Sequence, residues 1–212
     1  MLRRIVYAGS GALALSAVIM APGIAAAKPL TGTVSCVLSG TAVISPGLPL
    51  QNNPPVNATK TYTSTTTFTG ALTGCTGEQQ NINTKKGFGP IDHGTVAASG
   101  KTKYKKGMAL PDCIGLTSPT VPTVLKTTIL FFDAKGNNVG KSVTKGTVGP
   151  ATLGPPTSFP VSGPVSGGNA FKKETVTVVS NLSNPGGPAG ACLAGASTTF
   201  EFTDGTSTFD IH

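Results

Sequence analysis

The clearest alternation along the chain runs from residue 61 to residue 72, where Thr61, Thr63, Thr65, Thr67 and Thr69 interleave with Tyr62, Ser64, Thr66, Phe68, Gly70 and Leu72. A period of two belongs to a β-strand, whose successive side chains point to opposite faces. This segment therefore predicts a strand with a threonine ladder on one face. The same reasoning places a strand over 31–44, with Gly40 as a bend or bulge, then a Pro/Asn-rich loop over 45–55. A short strand is expected over 91–99. The apolar run Thr127, Thr128, Ile129, Leu130, Phe131 and Phe132 leads into turn residues over 133–138, and a return strand over 139–147 completes a hairpin. Residues 149–168 are rich in Pro and Gly and leave room for an edge strand around Phe159, Pro160 and Val161, because proline is tolerated at sheet edges. One more strand is expected over 175–182.

The C-terminal pattern adds a second hairpin. Asp204-Gly205 is a preferred two-residue turn, and pairing Thr203 with Thr206 sets Glu201 opposite Thr208 and Phe200 opposite Phe209. Phe200, Phe202, Phe209 and Ile211 then share an apolar face, and Thr199, Glu201, Thr203, Thr206, Thr208 and Asp210 a polar one. The total is seven to nine strands in one all-β domain spanning 28–212. An antiparallel β-sandwich is the expected architecture, with a closed β-barrel as the alternative. No repeat of fixed period appears, so the threonine ladder reads as a solvent-facing strand rather than one turn of an ice- or carbohydrate-binding solenoid.

Residues 1–27 follow a different pattern. Arg3 and Arg4 precede the apolar run Ala12 to Met20, and Ala25, Ala26 and Ala27 provide small residues for cleavage, as in a secretory signal peptide. Gly9, Gly11, Pro22 and Gly23 keep this run well short of the roughly 20 apolar residues a membrane-spanning helix needs, so no stable membrane anchor is expected. The chain is expected to act outside the cell or at its envelope. Cys36, Cys75, Cys113 and Cys192 form an even set, which in an exported chain favours two disulfides. Of the three connectivities, Cys36 with Cys75 and Cys113 with Cys192 is favoured, since the first pair flanks neighbouring strands. Their wide spacing lacks the close pairs of a zinc site, and no metal or cofactor is expected.

Arg3 and Arg4 are the only arginines, so beyond residue 27 the charge is 14 lysines against 8 acidic residues, about +6. Lysine is a flexible point charge without the bidentate fork that reads bases and phosphates. Trp is absent, and nucleic acid is not an expected partner. Lys85, Lys86, Lys101, Lys103, Lys105 and Lys106, with Tyr104 among them, read as a basic loop that suits an anionic envelope polymer, a lipid or an acidic protein.

Catalytic signatures are missing: there is no G-x-S-x-G, H-E-x-x-H or phosphate-binding G-x-x-x-x-G-K-[ST]. Asp92 and His93 look like an acid–base pair, yet on a regular strand they point to opposite faces and cooperate only from a turn. His212 reads as a solvated terminal residue. A two-carboxylate glycosidase would draw on Glu78, Asp92, Asp112, Asp133, Glu174, Glu201, Asp204 and Asp210, but the aromatic platforms that hold sugars are scarce. Asp133, Asn137 and Asn138 resemble an oxygen-lined calcium loop, but Lys135 falls where a ligand is wanted, so a hairpin turn is expected.

Val34-Ser35-Cys36, then Phe68 through Cys75, then Cys113 and a late Cys192 before a terminal β-hairpin resemble an uncharacterised group of small secreted, disulfide-bonded all-β proteins of actinobacteria. The resemblance implies fold, disulfides and export, and carries no functional residue to this chain. The expected function is a non-enzymatic domain that binds at or near the cell envelope through the lysine loop. The alternatives are a carrier with a closed apolar cavity of roughly 300 Å³ or more, and a hydrolase using His93. The oligomeric state is not legible in the sequence.

Overall fold

The computed structural model describes residues 28–49, 56–113, 115–152, 154, 156–184, 192, 197–203 and 205–212. Residues 1–27, read from sequence as a signal peptide, and Asp204, of the expected terminal turn, lie outside them. Alternation becomes strand throughout: β1 (Thr31–Gly32), β2 (Val34–Ser45), β3 (Tyr62–Thr76), β4 (Gln79–Gln80), β5 (Ile91–Tyr104), β6 (Thr123–Asp133), β7 (Asn138–Val148), β8 (Ser158–Gly168), β9 (Thr175–Asn181), β10 (Thr198–Phe202) and β11 (Thr208–Ile211). β1 and β4 form a two-stranded sheet; the other nine share one sheet in the order β10, β2, β11, β9, β8, β7, β6, β5, β3.

That sheet closes on itself, because β2 also pairs with β3 from Val37↔Thr73 to Ser45↔Thr65. β10 lies along the C-terminal half of β2 and β11 along its N-terminal half. The two act as segments of one strand, and β2, β3, β5, β6, β7, β8, β9 and β10/β11 make an eight-stranded antiparallel barrel. The barrel, not the sandwich, is the architecture. Closure has a physical reason legible only in the pairing: β2 carries partners along both edges, so no edge is left to separate two sheets.

Closure also corrects three local expectations. The terminal hairpin is absent, since β10 and β11 run in the same direction against β2 instead of facing each other. The faces nevertheless sort as the alternation required, with Phe200, Phe202, Phe209 and Ile211 all buried. Ahead of β11 the buried Ser207 ties the chain to its neighbours: its Oγ accepts the Asn181 N–H at 2.8 Å and its carbonyl accepts the Leu38 N–H. β8 is not an edge strand, because it pairs with β7 on one side and β9 on the other. The third main strand runs on to Tyr104, so Lys101 and Lys103 sit in a strand and not in a loop.

Two packed clusters occupy the interior. At one end, called here the Phe131 end, Phe131 packs edge-on against Phe171 with centroids 5.4 Å apart, and Leu72, Ile129, Phe209 and Ile211 surround them almost fully buried. The Cys36–Cys75 disulfide joins β2 to β3 there. At the opposite, Tyr104 end, Leu48, Leu182, Phe200 and Phe202 gather around the Cys113–Cys192 disulfide. Both bridges match the favoured connectivity. The outer face carries exposed Lys and Thr while the inner face is mostly apolar, with buried Ser and Thr among it, which is the reverse of a membrane-spanning barrel. Among the described residues no helix is long and apolar enough to cross a membrane.

Midway along the barrel, Gly40 pairs directly with Gly70 and the Phe68 ring lies over both. A methyl on Gly70 would come to 2.4 Å from the Ser39 carbonyl oxygen and 2.7 Å from the Phe68 ring. Gly40 is therefore a close-approach site; the irregularity in β2 falls instead between Ser35 and Val37.

Candidate functional site

Inward positions differ in size between the two halves of the barrel. Toward the Phe131 end they carry Leu72, Ile129, Phe131, Phe209 and Ile211. Toward the Tyr104 end the facing positions hold Ala42, Ala98, Gly146 and Gly163, whose side chains cannot meet across the interior. The result is an internal chamber of about 140 Å³ with an almost wholly apolar lining. Every wall contributes, among them Phe68 of β3, Val96 of β5, Leu125 of β6, Val148 of β7, Val161 of β8 and Val178 of β9.

The chamber reaches the rim of the barrel. Ile44, Thr123, Val148 and Phe159 stand at the last rungs of their strands, and Leu116, from the short 3-10 turn Gly115–Thr117, is the lining residue that comes from outside the strands. Ala42, Ile44, Phe68, Val148, Phe159, Val161 and Val178 point inward yet stay only half-buried, whereas inward residues of the opposite half are buried. Apolar surface left unfilled in this way marks a cavity rather than a packed core. A neighbouring hollow of about 180 Å³ shares Leu116 and Thr123 with the chamber and is walled by the segment that carries Cys113. The bridge to Cys192 and the hydrogen bond from Cys113 N–H to the Pro49 carbonyl at 3.0 Å hold this segment over the rim.

Thr66, Thr123, Thr127, Thr144, Ser162 and Ser180 stand among the lining residues, and among the described residues no buried side-chain nitrogen or oxygen lacks a hydrogen-bond partner. Thr102 and Thr123 share a hydroxyl hydrogen bond of 2.7 Å, and Thr144 donates to the Pro164 carbonyl at 2.8 Å. Tyr104 faces inward, is buried and packs on Tyr62 at 6.0 Å. It is no surface platform. Burial, followed by the charge its neighbour Tyr62 would carry, raises the Tyr104 phenol above its usual range; burial alone raises that of Tyr62.

The lysines predicted to form one loop are divided by the fold. Lys101 and Lys103 project from the outer face of β5 opposite Thr65 and Thr63, and Lys105 and Lys106 occupy the turn beyond it. Lys85 and Lys86 lie in the 3-10 turn Thr84–Lys86, before β5 begins, at the other end of the barrel. β5 separates the two groups by roughly 40 Å at about 3.3 Å per residue. The outer face adds Lys126, directly opposite Lys145, which the sequence reading did not join to the cluster because only the β5–β6 and β6–β7 pairing brings them alongside it.

His93 and Asp92 do come together. A register shift between Ile91 and His93 breaks the strict alternation, so Asp92 Oδ2 lies 3.0 Å from His93 Nδ1, and the imidazole stacks on Phe132 at 5.4 Å. Both side chains are largely exposed on the barrel wall. His212 borders a cleft at the Phe131 end, where Ser35 Oγ donates to Asp210 Oδ1 at 2.6 Å. Asp133 is buried under the β6–β7 turn: its carboxylate accepts the N–H groups of Gly89, Lys135 and Asn137 and the Asn137 side-chain amide, all at 2.9–3.0 Å. Those bonds, the Asn137 side chain first and the Gly89 N–H second, hold it well below the usual carboxylate range. The loop is the hairpin turn expected from sequence. Among the described residues no three His, Cys, Asp or Glu side chains gather as a metal site.

No family model, curated protein or solved structure matches this chain.

Proposed function

We propose that the barrel binds a small neutral apolar molecule, about the size of a single aromatic ring, in the chamber at its Tyr104 end, and acts as a non-enzymatic extracellular carrier. The observation that carries this reading is the half-filled interior: about 140 Å³ bounded mostly by apolar surface from all eight walls, beside an opposite half whose large inward side chains are buried. A cavity of this volume is about half the roughly 300 Å³ at which drug-sized pockets begin, which narrows the ligand from a lipid or polyketide to something compact. Engineered apolar cavities of about 150 Å³ stay dry and take up benzene. The N-terminal pattern and the two disulfides, which form and persist in oxidising compartments, support export.

A solution test uses benzene as probe. Ligand present at about 100 times its Kd stabilises a folded protein by about 2.7 kcal/mol, so benzene raised toward that concentration increases the melting temperature by several degrees. Cyclohexanol acts similarly and benzoate does not, since a charge finds no partner in the chamber. An unchanged melting temperature across the benzene series would end the carrier reading.

A further inference from the structure

We propose that the Tyr104 end of the barrel docks on the surface of an anionic lipid bilayer. The inference rests on the chamber reading in one respect: it brings the chamber's rim to the phase in which apolar small molecules collect.

The charge distribution points to the surface. Lys60, Lys101, Lys103, Lys105 and Lys106 are exposed at or near the rim, and Lys126 and Lys145 continue the patch across β6 and β7. The rung of Lys126 lies five residues from that of Tyr104 along β5, so the patch extends roughly 17 Å from the rim. Of the described acidic residues, Glu78, Asp92, Asp133, Glu174 and Asp210 lie at the Phe131 end; only Asp112 and Glu201 lie toward the rim, and Glu201 is across the barrel on β10. Half of the lysines are therefore concentrated where carboxylates are few. Lys126 opposite Lys145 places like charges on directly paired residues, an arrangement that costs stability in isolation and is relieved by a facing anionic surface.

Apolar groups distinguish a bilayer from a soluble polyanion. Val124, 46 % exposed, stands on the outer face of β6 two residues from Lys126, and Val56, 50 % exposed, lies beside the turn of Lys105 and Lys106 through the Asn57↔Ala109 bridge. Exposed valines among lysines suit a headgroup interface, where lysines meet phosphates and short apolar side chains reach the acyl boundary. Along a hydrated polymer those valines would gain nothing.

The experiment is vesicle flotation with the purified protein on mixed phosphatidylglycerol/phosphatidylcholine vesicles and on phosphatidylcholine alone. The variant K101Q/K103Q/K105Q/K106Q is compared with K85Q/K86Q/K135Q/K141Q, which removes the same charge from the opposite end. Each lysine near an anionic surface contributes about a fivefold factor in partitioning, so the rim variant is expected to lose at least tenfold on the anionic vesicles and the distal variant much less. Binding should also collapse between about 0.05 M and 0.5 M salt. Equal losses for the two variants, equal binding to both vesicle types, or retention on soluble polyphosphate with none on vesicles would each overturn the proposal. Melting curves of both variants confirm that they fold. Flotation needs no chamber and the benzene shift needs no vesicles, so either reading can fail while the other stands.

Discussion

Filling the chamber should make the protein more stable, and Ala98→Leu is the substitution that does so with least disturbance. Ala98 points inward on β5 between Phe68 of β3 and Thr127 of β6, and borders the chamber. At about 24 cal/mol per Å³, an empty cavity of this size withholds about 3 kcal/mol of packing. Leucine adds three carbons, worth about 0.8 kcal/mol each when buried. The gross gain is about 2.4 kcal/mol, and the rotamer freedom lost on burial returns about 0.5–1 kcal/mol. The net expectation is about 1.5 kcal/mol of added stability, which shifts a urea midpoint upward by about 0.7 M at a slope of about 2 kcal/mol per molar. Benzene should then no longer raise the melting temperature, because its space is taken. In a core that is already full, the same leucine would cost about 1–3 kcal/mol through strain. A midpoint that falls by that amount, with or without loss of benzene binding, refutes the account of an unfilled interior.

Three further outcomes follow from the structure. Replacing Cys113 and Cys192 together with serine removes a bridge of separation 79 and should cost about 4 kcal/mol in the loop-entropy picture, measured as a lower urea midpoint under non-reducing conditions. Asp133 has a folded-state pKa held below its unfolded value, so its contribution is complete above the unfolded pKa near 4 and is lost as pH falls below that range. Melting temperatures from pH 7 down to pH 2 should drop less steeply for Asp133→Asn than for the parent, and equal slopes would remove the carboxylate as the anchor of the β6–β7 turn. Tyr104 has the opposite sign: its phenol is raised by burial, so stability is full below the unfolded value near 10 and declines as pH rises through the folded one. Tyrosinate absorbance of the folded protein should rise at higher pH than in urea, and Tyr104→Phe should delete the late step.

Strand identity was legible because it depends on alternation, which the chain displays without ambiguity at 61–72 and 198–211. Closure was not, because it depends on which strands are neighbours. Phe200, Phe202, Phe209 and Ile211 sort to one face either in a hairpin or in two collinear segments along β2, so the face pattern cannot distinguish the two. The chamber is hidden in sequence for a related reason. Ala42, Ala98, Gly146 and Gly163 are ordinary one at a time, and become a cavity only when four different strands of the closed barrel present them to one interior. Lys126 and Lys145 join Lys101 and Lys103 only through lateral pairing, and Tyr104 left the surface once β5 proved long enough to include it. Asp92 and His93 escaped the rule of opposite faces because the ladder shifts register at that point.

Proton NMR of the protein saturated with benzene tests the central claim most directly, through nuclear Overhauser contacts between the ligand and assigned methyl groups. The account expects contacts to Val96, Leu125 and Val178, which line the chamber, and none to Ile129 or Ile211 in the packed half. Contacts confined to the exposed methyls of Val37, Val56 and Val124, or none at all at saturation, would contradict it.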